Sequence, residues 1–268
     1  MQTNYIKCGD NVKLMKTLPN ECIDLTVTSP PYDNLREYNG FDWDLDSVVN
    51  ELYRITKWGV VVVWITNDAT IQGSESCSSF IHALTFKLAG FNVHDTMIWY
   101  KDSFSFPDPT RYRQCFEYMF VFSKGKPKSI HLISDRQNKC AGIRVHGTSR
   151  LPDGTTFRKS NDKKSLVKNI GVRFNVWEMP SEKHNIYGHP AVFPEQLATD
   201  HILSWSSEGD LVFDPFCGSG TTCLSAIKNK RQYIGFDISQ TYCDIANKRL
   251  FSERIFVEGW DCWNKEEK

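Results

Sequence analysis

No stretch of this 268-residue chain is apolar for long enough to cross a membrane. The longest apolar run, Val60 to Ile65, is six residues. The opening MQTNYIKCGD has no charged segment leading into an apolar one, so no secretion signal is expected. None of the nine cysteines forms a CxxC pair, the number is odd, and no Cys/His cluster has zinc-ligand spacing; no metal is expected. Scattered thiols instead fit a reducing cytoplasm, with most acting as small buried apolar groups. Internal repeats and low-complexity tracts are absent, and so is a net charge: 32 basic residues balance 32 acidic ones. What is present, 40% hydrophobic and 24% charged residues, describes a packed globule large enough for one α/β domain with an insertion.

The zero net charge hides a division. Lys124 to His184 holds fourteen Lys/Arg against five acids, a net of +9, and the remainder is −9. A basic third in an acidic body suits a polyanion-binding insert; a solvated, charge-rich loop region is the competing reading.

Apolar periodicity outlines the rest. Ile23 to Val27 reads as a strand ending at a proline pair, and Asp46 to Lys57 as a helix with Val48, Val49, Leu52 and Ile55 on one side. Val60 to Ile65 reads as a central parallel strand. Ser78 to Leu88 is a helix stopped by Gly90, and Asn92 to Tyr100 and Glu117 to Ser123 are strands that can pair. The rhythm lapses over 124–184 and resumes after Pro194. There follow a helix at Glu195 to Trp205, a strand at Leu211 to Phe213, a helix from Thr221 to about Lys228, a strand at Tyr233 to Phe236, a helix at Gln240 to Phe251 and a last strand at Ile255 to Val257. Such alternation predicts an α/β fold whose mostly parallel sheet is covered by helices on both faces. The expected divisions are 1–123, an insertion at 124–184, and 185–268.

Two motifs carry chemistry. Asp214-Pro215-Phe216-Cys217-Gly218-Ser219-Gly220-Thr221-Thr222 lies between a strand and a helix, where glycines allow a tight turn and close approach of a ligand. GxxxxGK[ST] is absent and GxGxxG incomplete, so an adenosyl ligand without phosphates fits better than a nucleotide. The next strand ends at Asp237, placed to bind a ribose diol or to cap the following helix. The other motif, Thr28-Ser29-Pro30-Pro31-Tyr32, follows the first strand. Its prolines remove two donors and stiffen the chain. A hydroxyl, rigid carbonyls and an aromatic ring then face the ligand end of the sheet; a plain rigid turn with Tyr32 in the core is the alternative.

Together these features resemble the amino-methyltransferases of DNA, whose signature is [DNS]PP[YFW] with a glycine loop. The order, catalytic motif first and cofactor loop late, resembles their β group. The resemblance implies a Rossmann-like S-adenosylmethionine-dependent methyltransferase fold, circularly permuted, with target recognition in the basic insertion. It implies that Ser29, Pro30, Pro31 and Tyr32 are catalytic. It places Asp10, Pro190, Phe193, Asp214, Phe216, Gly218, Gly220, Thr221 and Asp237 around S-adenosyl-L-methionine. Its expected partner is DNA, double-stranded, contacted by Arg144, His146, Arg150, Arg158 and Arg173, each of which is otherwise a solvated surface charge. A homodimer and a cognate restriction endonuclease are further expectations, as is a cytoplasmic home in a bacterium, archaeon or phage-infected cell.

The implied reaction methylates the exocyclic amine of a flipped base without a cysteine nucleophile, leaving Cys217 as a packing residue. Ser at the first motif position favours N4 of cytosine over N6 of adenine. RNA or protein-glutamine methylation would place an Asn-led motif after the glycine loop; an inactive binding module would not need both motifs intact. Residues Asp33 to Asp44, with Tyr38, Phe41 and Trp43, form either a flap over the base or ordinary packing.

Overall fold

A computed structural model describes residues 1–32, 43–102, 109–144, 148–158, 166–181 and 193–263, excepting the side chains of 158 and 254–263. The elements in order are β1 (Tyr5–Cys8), α1 (Asn11–Met15), β2 (Leu25–Thr28), α2 (Leu45–Ile55), β3 (Val60–Thr66), β4 (Thr70–Ile71), β5 (Ser74–Glu75), α3 (Ser78–Leu88), β6 (Asn92–Tyr100) and β7 (Phe116–Lys124). There follow β8 (Arg136–Gln137), β9 (Thr148–Arg150), β10 (Thr156–Arg158), β11 (Ile170–Gly171), β12 (Val176–Glu178), α4 (Glu195–Trp205), β13 (Leu211–Asp214), α5 (Thr221–Lys228), β14 (Gln232–Asp237) and α6 (Gln240–Trp263). None of the described helices is long and apolar enough to cross a membrane.

Eight strands form one sheet in the order β1-β14-β13-β2-β3-β7-β6-β12. All neighbours are parallel except at β7, which runs against both β3 and β6. The apolar run Val60–Ile65 is therefore central, as its composition demands, but has one parallel and one antiparallel neighbour. Period-2 alternation splits its side chains between two cores. Val61, Val63 and Ile65 pack with Leu197 and Ile202 of α4 and Leu224 of α5. Val62 and Trp64 pack with Met15 of α1, Val48, Val49, Leu52 and Ile55 of α2, and Phe86 of α3.

One expectation changes. Ile255 to Val257 was read as a strand and lies inside α6. The sheet edge it would have occupied is taken by β1, paired along β14 from Tyr5↔Ile234 to Cys8↔Asp237. The expected insertion at 124–184 contains a compact unit, 132–174, made of the ribbons β8–β11 and β9–β10. Its flanks belong to the larger unit: β7 runs through Lys124, and β12 pairs with β6.

One contact under the glycine loop is especially tight. A Cβ at Gly235, in the middle of β14, would lie 2.9 Å from Cys223 Sγ and 3.1 Å from both Cβ and Sγ of Cys217. Both thiols are buried, so there is no solvent into which they can yield. Gly235→Ala is expected to cost about 1–3 kcal/mol through overpacking, seen as a lower urea midpoint at unchanged slope.

Candidate active site

The two motifs, remote in sequence, leave the sheet from the carboxyl ends of neighbouring parallel strands, β2 and β13. This is where open α/β sheets bind ligands. Two buried hydrogen bonds lock them together. Thr28 Oγ1 donates to Asp214 Oδ1 at 2.7 Å, and Thr222 Oγ1 donates to the Val27 carbonyl at 3.1 Å. Beyond Thr28 the prolines end the ladder, with Pro30 buried and Pro31 and Tyr32 half-buried.

The glycine loop is built as its composition predicts. Gly218 and Gly220 have φ of 49° and 83°, values that side-chain-bearing residues rarely adopt. Gly220 then begins α5, whose Thr221 Oγ1 is buried without a hydrogen-bond partner among the described residues. Arg249 of α6 donates to the Ser219 carbonyl at 2.6 Å and steadies the turn. Phe216 meets Trp43 edge-on at 5.2 Å, which makes Trp43 a packing residue; the rest of the expected flap, 33–42, lies outside the described residues.

Asp237 ends β14 beside this loop. Its carboxylate accepts from the backbone N–H of Gly218 and of Ser239, both at 2.8 Å. It is not the helix cap: Ser239 precedes Gln240, and its oxygens accept from Tyr242 and Cys243. Burial raises the Asp237 carboxyl above the usual range. Asp10 lies two residues beyond Cys8, which pairs with Asp237, and it caps α1 by accepting from Lys13 N at 2.8 Å. Phe193 is partly buried against the core under α4 and α5, and Pro190 lies outside the described residues. Cys217 is buried, and burial holds its thiol well above the usual range, suiting packing rather than nucleophilic attack.

Sequence reasoning missed two residues here, Glu117 and Lys101. Because β7 is antiparallel, its first residues come to the same end of the sheet as the motifs; Tyr118 pairs with Thr66 at the end of β3. There the Ser29 hydroxyl donates to Tyr32 Oη at 2.9 Å, and Tyr32 Oη donates to Glu117 Oε2 at 2.7 Å. Lys101 Nζ forms a short ion pair with Glu117 Oε1 and sits 4.5 Å above the Trp99 ring. The signal was legible in principle. Glu117, Met119 and Val121 alternate on one strand face, and a carboxylate in line with two core residues needs a partner.

The basic candidates belong to the 132–174 unit. Arg144 is exposed and bridges Leu166 through its backbone, and Arg150 is exposed on β9. Arg173 is ion-paired with Asp135, whose carboxyl it holds below the usual range by hydrogen bonding. Arg158 ends β10; its side chain and His146 lie outside what is described. Arg136 adds a guanidinium 4.2 Å from the Phe174 ring centre. Among the described residues, no group of three or more His, Cys, Asp or Glu is placed to hold a metal ion.

The family model described as DNA methylase, of the N6/N4 type, matches residues 23–248. The chain is 57% identical over 245 residues to the orphan methyltransferase M.BamHII of Bacillus amyloliquefaciens, covering 88% of this chain and 92% of that protein. This chain belongs to the N6/N4 family of DNA methylases. Solved structures show the same fold. The PvuII DNA methyltransferase (cytosine-N4-specific) matches with a TM-score of 0.68 at 23% identity, over 93% of this chain and 86% of that one. A DNA modification methylase of Thermus thermophilus, TTHA0409, complexed with S-adenosyl-L-methionine, matches with a TM-score of 0.63 at 24% identity, over 93% and 94%. The fold is that of the class I S-adenosylmethionine-dependent DNA methyltransferases, a mostly parallel sheet flanked by helices.

In this methylase the hub of the site is a carboxyl out of reach of water. Burial pushes Asp214 up to about 6, against the hydrogen bonds from Thr28 Oγ1 and Phe216 N–H, which lower it. Its native value exceeds its unfolded one, so the stabilisation it brings is complete below about pH 4 and is lost as pH rises through about 6. Asp214→Asn keeps an acceptor for Thr28 and Phe216 without the ionisation. The ligand-free variant is therefore expected to gain up to about 3 kcal/mol over wild type above pH 6 and nothing below about pH 4. Thermal melts across pH 4–8 check this by the widening gap in Tm.

Proposed function

We propose that this DNA methyltransferase uses S-adenosyl-L-methionine to methylate the exocyclic amine of a flipped base in duplex DNA, with N4 of cytosine as the favoured target. The observation that carries the reading is the Thr28–Asp214 hydrogen bond, which fastens the Ser29–Tyr32 corner beside the glycine loop. The donor site fits the residues present. Gly218 and Gly220 leave the loop backbone open to close approach, and Thr221 Oγ1 is a buried group lacking a partner among the described residues. Asp237 is held by two backbone donors and retains lone pairs for a diol. Asp10, Pro190, Phe193, Asp214 and Phe216 complete the proposed set. When bound, the donor supplies an electrophilic methyl on a sulfonium.

The chain's own residues do the positioning. The amine lone pair is delocalised into the ring, so it is a poor nucleophile until its hydrogens are held. The Ser29 hydroxyl and the Pro30 carbonyl accept those hydrogens, and the Tyr32 ring stacks on the extruded base. Arg144, His146, Arg150, Arg158 and Arg173 supply phosphate and base contacts from the basic segment. The cytosine preference is supported by Ser at the motif's first position and by the fold likeness to an enzyme described as cytosine-N4-specific.

Tritiated donor with unmethylated duplex DNA, followed by nucleoside analysis, tests the reading. N4-methylcytosine is the expected product; N6-methyladenine would overturn the base preference, and label only in RNA or protein would overturn the substrate class. Tyr32→Ala is expected to slow single-turnover transfer at least about a hundredfold, or about 3 kcal/mol; a near-normal rate would remove Tyr32 from its role. Asp214→Asn, though more stable without ligand, is expected to bind the cationic donor about tenfold more weakly in calorimetric titration, because its charge is gone.

A further inference from the structure

Methyl transfer creates a proton that the residues of the proposed function do not dispose of. The amine nitrogen gains a fourth bond and a positive charge, and the charge must leave as one proton. An amide-like nitrogen in that state is strongly acidic, so even a weakly basic acceptor suffices, provided it is connected.

We propose that Ser29, Tyr32 and Glu117 form the proton exit of this methylase, with Lys101 holding the Glu117 carboxylate in place. The proposal rests on the reading of Ser29 as the amine's acceptor. The hydrogen bonds already point outward. Ser29 Oγ donates to Tyr32 Oη, and Tyr32 Oη donates to Glu117 Oε2, leaving the lone pairs of Ser29 Oγ to face an incoming N–H. Three bonds exchange in concert: the nitrogen's proton goes to Ser29 Oγ, the Ser29 proton to Tyr32 Oη, and the Tyr32 proton to Glu117 Oε2. One N–H bond breaks and one carboxyl O–H forms; the cation becomes a neutral methylamine and the carboxylate a neutral acid. Both hydroxyls end as they began.

The surroundings suit the ends of this line. The Glu117 side chain is 9% exposed and lies opposite Trp99 on β6, a place that disfavours a lone carboxylate. The Lys101 ammonium occupies Oε1 and leaves Oε2 for Tyr32. Lys101 is 21% exposed, and its ammonium sits over the Trp99 ring. After product leaves, Glu117 gives this proton up to solvent, and the line is reset. The Ser29 bond also fixes the seryl rotamer, so the same line orients the acceptor before the reaction.

Two substitutions separate stacking from proton exit. Tyr32→Phe keeps the ring and removes only the hydroxyl; Glu117→Gln keeps the shape and removes the base. With S-adenosylmethionine and unmethylated genomic DNA, each is expected to lower the single-turnover rate at least tenfold. Donor Kd and the KM for DNA should stay within about twofold of wild type. Because both act on one line, the double variant should be no slower than the slower single, whereas independent roles would multiply. Wild-type rates in both singles, multiplied losses, or a Glu117→Gln defect confined to melting temperature and donor affinity would overturn the proposal. If Glu117→Gln does not fold, Tyr32→Phe alone decides, since a deleted hydroxyl leaves the Lys101–Glu117 pair in place. A wild-type enzyme that transfers no methyl to DNA would instead remove the function on which this rests, a result distinct from active variants.

Discussion

A single buried hydrogen bond, from Thr28 Oγ1 to Asp214 Oδ1, joins residues 186 positions apart and gives the site its shape. The parallel pairing of β2 with β13 brings two strand ends together, but pairing alone leaves the following loops free to diverge. Thr28 is the last residue before the Ser-Pro-Pro corner, and Asp214 the first before the glycine turn. The same Asp214 oxygen accepts from Phe216 N–H, so one atom sets the exit direction of both loops. Prolines on one side and left-handed glycines on the other then remove most remaining freedom. A corner carrying acceptors and a loop open to a ligand are thereby held side by side.

The antiparallel strand supplies what parallel strands do not. The carboxyl ends of β13, β2 and β3 present their last residues to the site, while β7 presents its first. Glu117 thus reaches Tyr32 from a segment 85 residues away. Had β7 been parallel, its site-facing end would be near Lys124. That lysine instead lies at the opposite end, buried and bonded to the carbonyls of Tyr53 and Thr56. Strand direction, not sequence proximity, selects which charged residue of β7 joins the chemistry.

This explains what was legible in advance. The helices at 45–55 and 195–205 and the strand at 60–66 announce themselves because each buries a patterned set of apolar side chains. The Ser-Pro-Pro-Tyr and glycine-loop motifs are legible because backbone chemistry dictates their residue types. β1 is not, since Tyr5–Cys8 is four residues long and its pairing is defined only by β14, more than 220 positions away. Ile255–Val257 misleads for the converse reason: a β-branched and aromatic triplet looks like a strand until the edge it would join is filled. The Tyr32–Glu117–Lys101 line sits between. Each residue looks ordinary alone, and only the strand register makes them neighbours.

The choice of a carboxylic acid at Asp214 bears on purpose. Asparagine would accept from Thr28 Oγ1 and Phe216 N–H equally well and would not carry a group whose ionisation the buried site resists. As a strand fastener, therefore, the acid is the poorer residue. Its advantage appears only when a positive charge is nearby to offset desolvation, and among the described residues no lysine or arginine is hydrogen-bonded or ion-paired to it. Asp237, a like charge, pushes it further toward neutrality. A buried carboxyl beside a second, half-buried one across a glycine turn is a costly arrangement without a positive charge to offset it. The cost of burying this acid therefore falls on the ligand-free protein.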